Sequence, residues 1–569
     1  MTCIRLILLS VFSAAFLSLT AQAQADGRYM ISAANPHAAE AGRDILAAGG
    51  SAVDAAIAAQ LVLGLVEPQS SGIGGGGFLM HFRAGNGVID AYDGRETAPA
   101  AATPEMFLGP DETPRKFYDA VVGGLSVGVP GLLRMLEQAH QDHGRLPWAD
   151  LFAPAIRLAR DGFQISPRLH YLIDRDTERL TTFDTTRSYF YQPDGTALPV
   201  GALLRNPAYA DVLDQVAGGG ADVFYNGQIA ADIVRTVRGA DRNPGLMTAE
   251  DMSGYRAIRR QAVCGTYREN RICGMPPPSS GGITVAQILG LLEGFDLHRM
   301  APDSLAATHL IAEAGRLAFA DRNLYLADTD FVPAPLKGLL DPGYLKSRAG
   351  QISLKSSVGK AEPGTPPQDH GALIPMQDDF ERESTTHLSV LDADGNAVSM
   401  TSSVENAFGA RLMTRGFILN NQLTDFSFSP EKDGIAIANR VEPGKRPRSS
   451  MSPTLVLGPD GRLRMAVGSP GGSRIIGYVA KTLIGVIDWN LTMQQAIDLP
   501  HVINRNGGTD LEEETSAAEL KTALEALGHQ VSIRSLNSGL HGIRITPAGP
   551  DGGADPRREG IVLEGSTTR

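Results

Sequence analysis

Apolar and polar residues alternate from His387 to Leu391, break at Asp394-Gly395, and alternate again from Asn396 to Thr401. Period-two alternation around an Asp-Gly pair predicts a β-hairpin. The same alternation over 78–82 and 88–92 predicts a second strand pair. Helical signals lie between and around them. Asn35-Pro36 opens a run to Leu46 that Gly49-Gly50 closes, and Ser51 caps a further run through Leu65 that Pro68 ends. Residues 120–345 are helix-rich, with Gly-Val-Pro-Gly at 128–131 opening one helix. At 276–282, PPPSSGG fixes an extended segment and can start a helix over 283–292; its plain reading is a rigid loop. Runs at 455–457 and 465–467 predict two more strands. A helix from 468–474 through 487, another over 517–527 and strands to 563 complete the pattern, with no internal repeat.

A length of 569 residues suggests two to four domains as a prior. Only 6% of residues are aromatic while 64 are Gly, so small residues must pack much of the core. A net charge of −12 argues against nucleic acid or an anionic membrane as the main partner. Residues 1–25 read as a signal peptide: Arg5, an apolar run over 6–19, and A-x-A sites at 21–23 and 23–25. No later run reaches the ~18 uninterrupted apolar residues of a spanning helix, the best candidate (52–66) being interrupted by Asp54 and Gln60. The expectation is a periplasmic or secreted protein without membrane contact after signal removal. Cys3 leaves with the signal. Cys264 and Cys273 flank GTYRENRI, whose spacing suits a hairpin turning near Glu269-Asn270; a disulfide and two buried free thiols both fit.

Candidate chemistry narrows by exclusion. The glycine cluster SSGIGGGG (70–77) lacks the Gly-Lys-Ser/Thr of a phosphate loop and suits close backbone packing. The 12 His have no metal-ligand spacing, so no metal or cofactor is expected. Arg95 follows a predicted strand, where an Arg is ordinarily a solvated charge. Gly471-Gly472 at a helix start offers outward N–H groups that suit an anion. Residues 350–384 are rich in Ser, Gly, Pro and charge and read as a mobile linker running up to Thr385.

Four separated segments then share one context: Thr385-Thr386-His387, NNQLTDF (420–426), KRPRSSMSPT (445–454) and GSPGGSR (468–474), with Arg95-Glu96-Thr97-Ala98-Pro99 upstream. Together they resemble the γ-glutamyltranspeptidase family of N-terminal-nucleophile hydrolases over about residues 30–565. The resemblance implies self-cleavage between Ser384 and Thr385, which frees Thr385 as nucleophile with its own α-amino group as base. It assigns Gly471 and Gly472 to the oxyanion hole and Ser403 to a second hydroxyl beside the nucleophile. Arg95, Ser449 and Ser450 would bind a substrate α-carboxylate; Asp425, assisted by Gln422 or Glu405, would bind its α-ammonium group. The implied fold is α/β: an αββα sandwich of two stacked antiparallel sheets between helix layers. Fragments 26–384 and 385–569 of one precursor would build it as a heterodimer.

The implied reaction moves a γ-glutamyl group from glutathione or other γ-glutamyl compounds to water, amino acids or peptides. Two departures stand out. Position 405 is Glu where many members have Asn. The loop between Asp425 and Ser449 is short and lacks Tyr, which implies a site open to water and bulky donors. The alternatives are a cephalosporin or glutaryl acylase of the same fold, and a processed but inactive binding protein, against which Thr385, Arg95 and the Gly pair argue.

Overall fold

The computed structural model describes residues 27–367 and 384–567. The hairpin read from the sequence forms at its centre. Its strands are Thr386–Leu391 and Ala397–Ser403, in antiparallel register from Ser402↔Thr386 to Ala397↔Leu391. Gly395 takes φ +83° in the turn, a conformation Gly adopts without steric cost. Asp392 ties that turn by accepting from the N–H groups of Asp394 (3.0 Å) and Asn396 (2.9 Å).

Every residue of both strands is buried, so the alternation does not sort core from solvent. It sorts two interiors instead. Leu388, Val390, Val398 and Met400 join the core beneath one helix layer, while Ser389 and Ser399 face a second sheet, bonding to the His541 and Val467 carbonyls.

The first sheet has seven strands in the order Ile561–Ser566, Arg28–Ala33, Thr386–Leu391, Ala397–Ser403, Gly76–Arg83, Val88–Gly94, Ile258–Arg260. The second has six: Gly549–Ala554, His541–Thr546, Leu463–Gly468, Thr454–Leu457, Asn270–Gly274, Val263–Tyr267. All pairings within both are antiparallel. Helices Pro36–Ala47 and Ala52–Val66 cover the first sheet, Gly281–Leu292 and Ile475–Ile487 cover the second, and Leu305–Tyr325 packs against Gly281–Leu292. This is the expected αββα sandwich. Residues on both sides of position 384 contribute strands to both sheets, so neither segment closes a core alone.

The local signals hold where capping chemistry is explicit. Ser51 and Asp54 make a full capping box at the head of Ala52–Val66. The expected helix over 517–527 is instead two short ones, Ser516–Glu519 and Lys521–Ala526, joined at Leu520. The cysteine hairpin turns one residue earlier than expected, with Arg268 at φ +53°. Cys264 and Cys273 are directly opposed across it and form a disulfide, which resolves the two readings of that pair.

The expected linker is held in place as far as residue 367. Val358 N–H donates to Glu313 (2.6 Å), Ala361 N–H to Asn506 (2.8 Å) and Gly364 N–H to Asp321 (2.8 Å). The rest of it, like the expected signal peptide, lies outside the described residues. No described helix is long and apolar enough to cross a membrane.

Candidate active site

Thr385 immediately precedes a central strand of the first sheet, so the main chain fixes its position from one side. It is 4% exposed and borders a cavity. Its Oγ1 donates to the carbonyl of Ser384, the residue it is still joined to, and lies 3.2 Å from Ser403 Oγ. Ser403 Oγ donates to the same carbonyl at 3.1 Å and accepts from Glu405 N–H at 2.8 Å. Two hydroxyls thus converge on one peptide carbonyl and polarise it. Arg558 Nη1 donates to the carbonyl of Thr385 at 2.9 Å. Ser384 Oγ donates to the carbonyl of Gln69.

His387, two residues on, offers no base. Both ring nitrogens are engaged, with Thr401 Oγ1 (2.8 Å) and Ser389 Oγ (3.2 Å). Burial first, and then the neighbouring His541, hold its pKa well below the usual histidine value.

The opposite wall carries charge. Arg95 is 1% exposed and pairs with Asp425, which also accepts from Gln422 Nε2 at 2.6 Å. Arg95 Nε and Nη2 donate further to the carbonyls of Pro447 (3.1 Å) and Arg448 (2.9 Å). That edge of the guanidinium is therefore already committed, and a bidentate clasp on a substrate carboxylate must share it. Glu96 lies fully buried beside Arg95, its carboxylate 4.0 Å from Nη1. Burial raises its pKa to about 8 against the opposing pull of Arg95.

Ser449 and Ser450 line the cavity on a platform the sequence did not reveal. Ser280 Oγ donates to the Ser449 carbonyl (2.7 Å) and Ser279 Oγ to the Met451 carbonyl (2.6 Å). Buried Arg322 donates to Ser280 Oγ (2.8 Å) and Ser450 Oγ (2.6 Å). The PPPSSGG segment is thus the underside of this wall as well as a rigid loop. A guanidinium has donors alone, so Ser450 Oγ must act as acceptor towards Arg322.

Of the expected site residues, Thr385, Ser403, Glu405, Gln422, Asp425, Arg95, Ser449, Ser450 and Gly472 all border the cavity; Gly471 stands one residue behind. Gly471 and Gly472 adopt φ +134° and +59°. A Cβ on Gly471 would sit 2.6 Å from the Tyr478 ring, so no larger residue fits. Glu405, at φ +76°, accepts from Asn421 Nδ2. No residue from 427–447 borders the cavity; the small hairpin Glu431–Lys432/Ile435–Ala436 stands exposed.

Sequence reading missed Arg322 and Arg558, whose only local signals are ordinary helix or loop positions, whereas Ser280 lies in the PPPSSGG segment that stood out in the sequence. It also missed two side-chain groups with metal-ligand proximity, His81-Asp90-His143 and His309-Glu313-His529. In the first, Asp90 is held by Arg83 and Arg259. In the second, His309 bonds His529 (2.7 Å) and the Ser353 carbonyl (2.7 Å). None of these residues borders the Thr385 cavity.

Comparison with known proteins places this geometry. The profile of the family described as Gamma-glutamyltranspeptidase matches residues 38–565. The glutathione hydrolase proenzyme of Escherichia coli (strain K12) is 37% identical over 538 residues, 93% of this chain and 90% of that protein. The acylase ACY 1 proenzyme of Pseudomonas sp. (strain V22) is 35% identical over 95% of each chain. Among solved structures, the cephalosporin acylase from Bacillus halodurans superposes with a TM-score of 0.82 at 27% identity, covering 94% of this chain and 96% of its own. By fold, by the residues gathered at Thr385 and by these matches, the chain belongs to the γ-glutamyltranspeptidase family.

Proposed function

We propose that the chain cleaves itself between Ser384 and Thr385, and that the freed Thr385 transfers γ-glutamyl groups from glutathione-like donors to water, amino acids or peptides. The observation that carries this reading is the Arg95–Asp425 pair facing Thr385 across one cavity. A γ-glutamyl donor brings an α-carboxylate for Arg95 and an α-ammonium for Asp425, so each buried charge exchanges one opposite partner for another. A glutaryl group brings the carboxylate alone and leaves Asp425 charged without a cation from the substrate, which is costly in a buried site.

Self-cleavage begins with attack of Thr385 Oγ1 on the Ser384 carbonyl carbon. The Oγ1–C bond forms, the C–N bond to Thr385 breaks, and the hydroxyl proton passes to the departing amine. Water then hydrolyses the ester, leaving a Ser384 carboxylate and a free Thr385 hydroxyl. Ser403, already bonded to the Ser384 carbonyl, supports the developing negative charge in the first step. In turnover the α-amino group, with a typical pKa of about 7.7–8, takes the hydroxyl proton as Oγ1 attacks the γ-carbonyl. The amine product leaves, and water or an amino group releases the γ-glutamyl group from Oγ1. The N–H groups at Gly471 and Gly472 suit the oxyanion of these steps, each such donor being worth about 3–4 kcal/mol. The donor's α-carboxylate is assigned to Arg95, Ser449 and Ser450, and its ammonium to Asp425 with Gln422 and Glu405.

The acylase reading keeps one specific support: the cavity has no contribution from 427–447 and similar acylases share the fold. A chromogenic γ-glutamyl anilide and its glutaryl counterpart, assayed side by side, decide between them. Preference for the glutaryl compound would replace the γ-glutamyl reading. Turnover of neither by cleaved protein would favour a binding protein.

A further inference from the structure

A second polar cluster lies outside the cavity lining, behind the nucleophile. Glu67 closes the helix Ala52–Val66, its N–H donating to Leu63 O at 2.8 Å. Its own carbonyl accepts from Ser70 N–H (2.8 Å) and Ser71 N–H (3.3 Å), which turns the chain sharply. That turn grips the hairpin on both sides. Gln69 O accepts from Ser384 Oγ and Phe408 N–H, and Ser70 O accepts from Val404 N–H. The Glu67 turn is therefore fastened next to the scissile peptide and next to Ser403.

The Glu67 side chain points inward from this turn. It is 1% exposed, and neither carboxylate oxygen has a hydrogen-bond partner among the described residues. The groups that act on its charge are Arg168 on the helix Pro167–Arg175, Arg558 with Glu559 near the C-terminus, and the Thr386 hydroxyl on the nucleophile strand. Arg558 is the residue that grips the Thr385 carbonyl. A core carboxyl in so dry a place is expensive to keep charged. Burial outweighs the pull of Arg168 and Arg558 and raises its pKa above the usual carboxylate value. A neutral acid can share its proton with the Thr386 hydroxyl and leaves Arg558 to the Thr385 carbonyl. A carboxylate in the same place competes for that guanidinium.

We propose that Glu67 is a positioning residue for Thr385, acting through Arg558 and Thr386 to hold the nucleophile's main chain in line for attack. This rests on Thr385 being the nucleophile. It goes beyond that reading by naming a group outside the substrate cavity on which both self-cleavage and turnover depend. The two rates share Thr385 but only turnover needs a donor, so both must respond to Glu67 together.

The test uses the full-length chain. Self-cleavage is followed on denaturing gels across pH, and turnover of a γ-glutamyl anilide is expressed per cleaved chain. Glu67→Leu should slow both by about tenfold, equivalent to one 1.36 kcal/mol step, with KM unchanged. Glu67→Gln, which keeps the shape and the hydrogen-bonding amide, should restore both to within about threefold. In the wild type both rates should fall as rising pH ionises Glu67, and Glu67→Gln should lack that fall. Wild-type rates in Glu67→Leu, a Gln variant as slow as Leu, or an unchanged fall with rising pH in Glu67→Gln would each overturn the proposal. Should the Leu variant not fold, the pH profile of Glu67→Gln alone decides. Wild-type protein that cleaves itself but ignores γ-glutamyl donors would sink the donor assignment while leaving the self-cleavage measurement of Glu67 intact.

Discussion

The two walls of the cavity are built on different principles. The Thr385 wall is local: Thr385, Ser403 and Glu405 come from one hairpin and its exit, and its contacts are hydroxyls and main-chain groups. The Arg95 wall is assembled from residues 95, 322, 425 and 449–450, and its contacts are charges and carbonyls locked by buried guanidiniums. The difference has a physical cause. On the proposed function, the self-cleaving peptide is its own substrate and needs only a hydroxyl held near its carbonyl. On the same reading, a diffusing zwitterion must be selected from water, which takes two opposite charges held in place so that each can exchange its partner for one on the substrate.

The most severe way to break this comparison is Thr385→Ala. It should abolish both self-cleavage and turnover and leave one chain on a denaturing gel, without the C-terminal fragment of about 20 kDa expected from its length. Two fragments of the wild-type sizes from this variant would show that the local wall does not make the cut.

Asp425→Ala tests the separation of the walls. It should weaken γ-glutamyl turnover by roughly 2–5 kcal/mol, the scale for truncating one partner of a buried charge pair, while self-cleavage proceeds at the wild-type rate. Arg95→Ala should harm γ-glutamyl and glutaryl substrates alike. Equal loss of self-cleavage in Asp425→Ala would mean that the walls are one unit.

Arg322→Met asks how far Ser450 depends on its support. Losing a charged donor to that hydroxyl should cost about 1.5–3 kcal/mol. The loss should appear in KM for α-carboxylate-bearing donors more than in kcat. A change confined to kcat would place Arg322 with the chemistry instead.

The gentlest probe is pH. Glu96 is held neutral by burial up to about pH 8, far above the carboxylate range of an unfolded chain, so folding favours its protonated form. As pH rises through about 8 it ionises beside Arg95 and competes with the donor's carboxylate. KM should then rise above pH 8, and Glu96→Gln should flatten that rise. A KM independent of pH in the wild type would show that the Arg95 charge is insulated from its neighbour.

Much of this was legible in the residues. Asn35-Pro36, the Ser51/Asp54 box and Asp394-Gly395 are local solutions to local problems, satisfying orphan N–H groups or turning a chain, so position along the sequence suffices to read them. The motif around Thr385 was legible for a related reason: that wall is contiguous, and a strand start is visible as a pattern. The helix over 517–527 failed because apolar spacing cannot register a break at Leu520 that packing decides.

The sequence by itself determined the hairpin, the helix caps, the family resemblance and which residues carry hydroxyls, charges and glycines. Tertiary structure alone decided which of them meet. Arg322 beneath Ser450, Arg558 on the Thr385 carbonyl, Glu67 behind Thr386 and the pairing of Arg95 with Asp425 join positions far apart in the chain. Their energies exist only once two sheets and two helix layers have excluded water, because an ion pair or a lone carboxyl acquires its strength or its cost from the low dielectric around it. No period, cap or turn in a linear sequence encodes that environment.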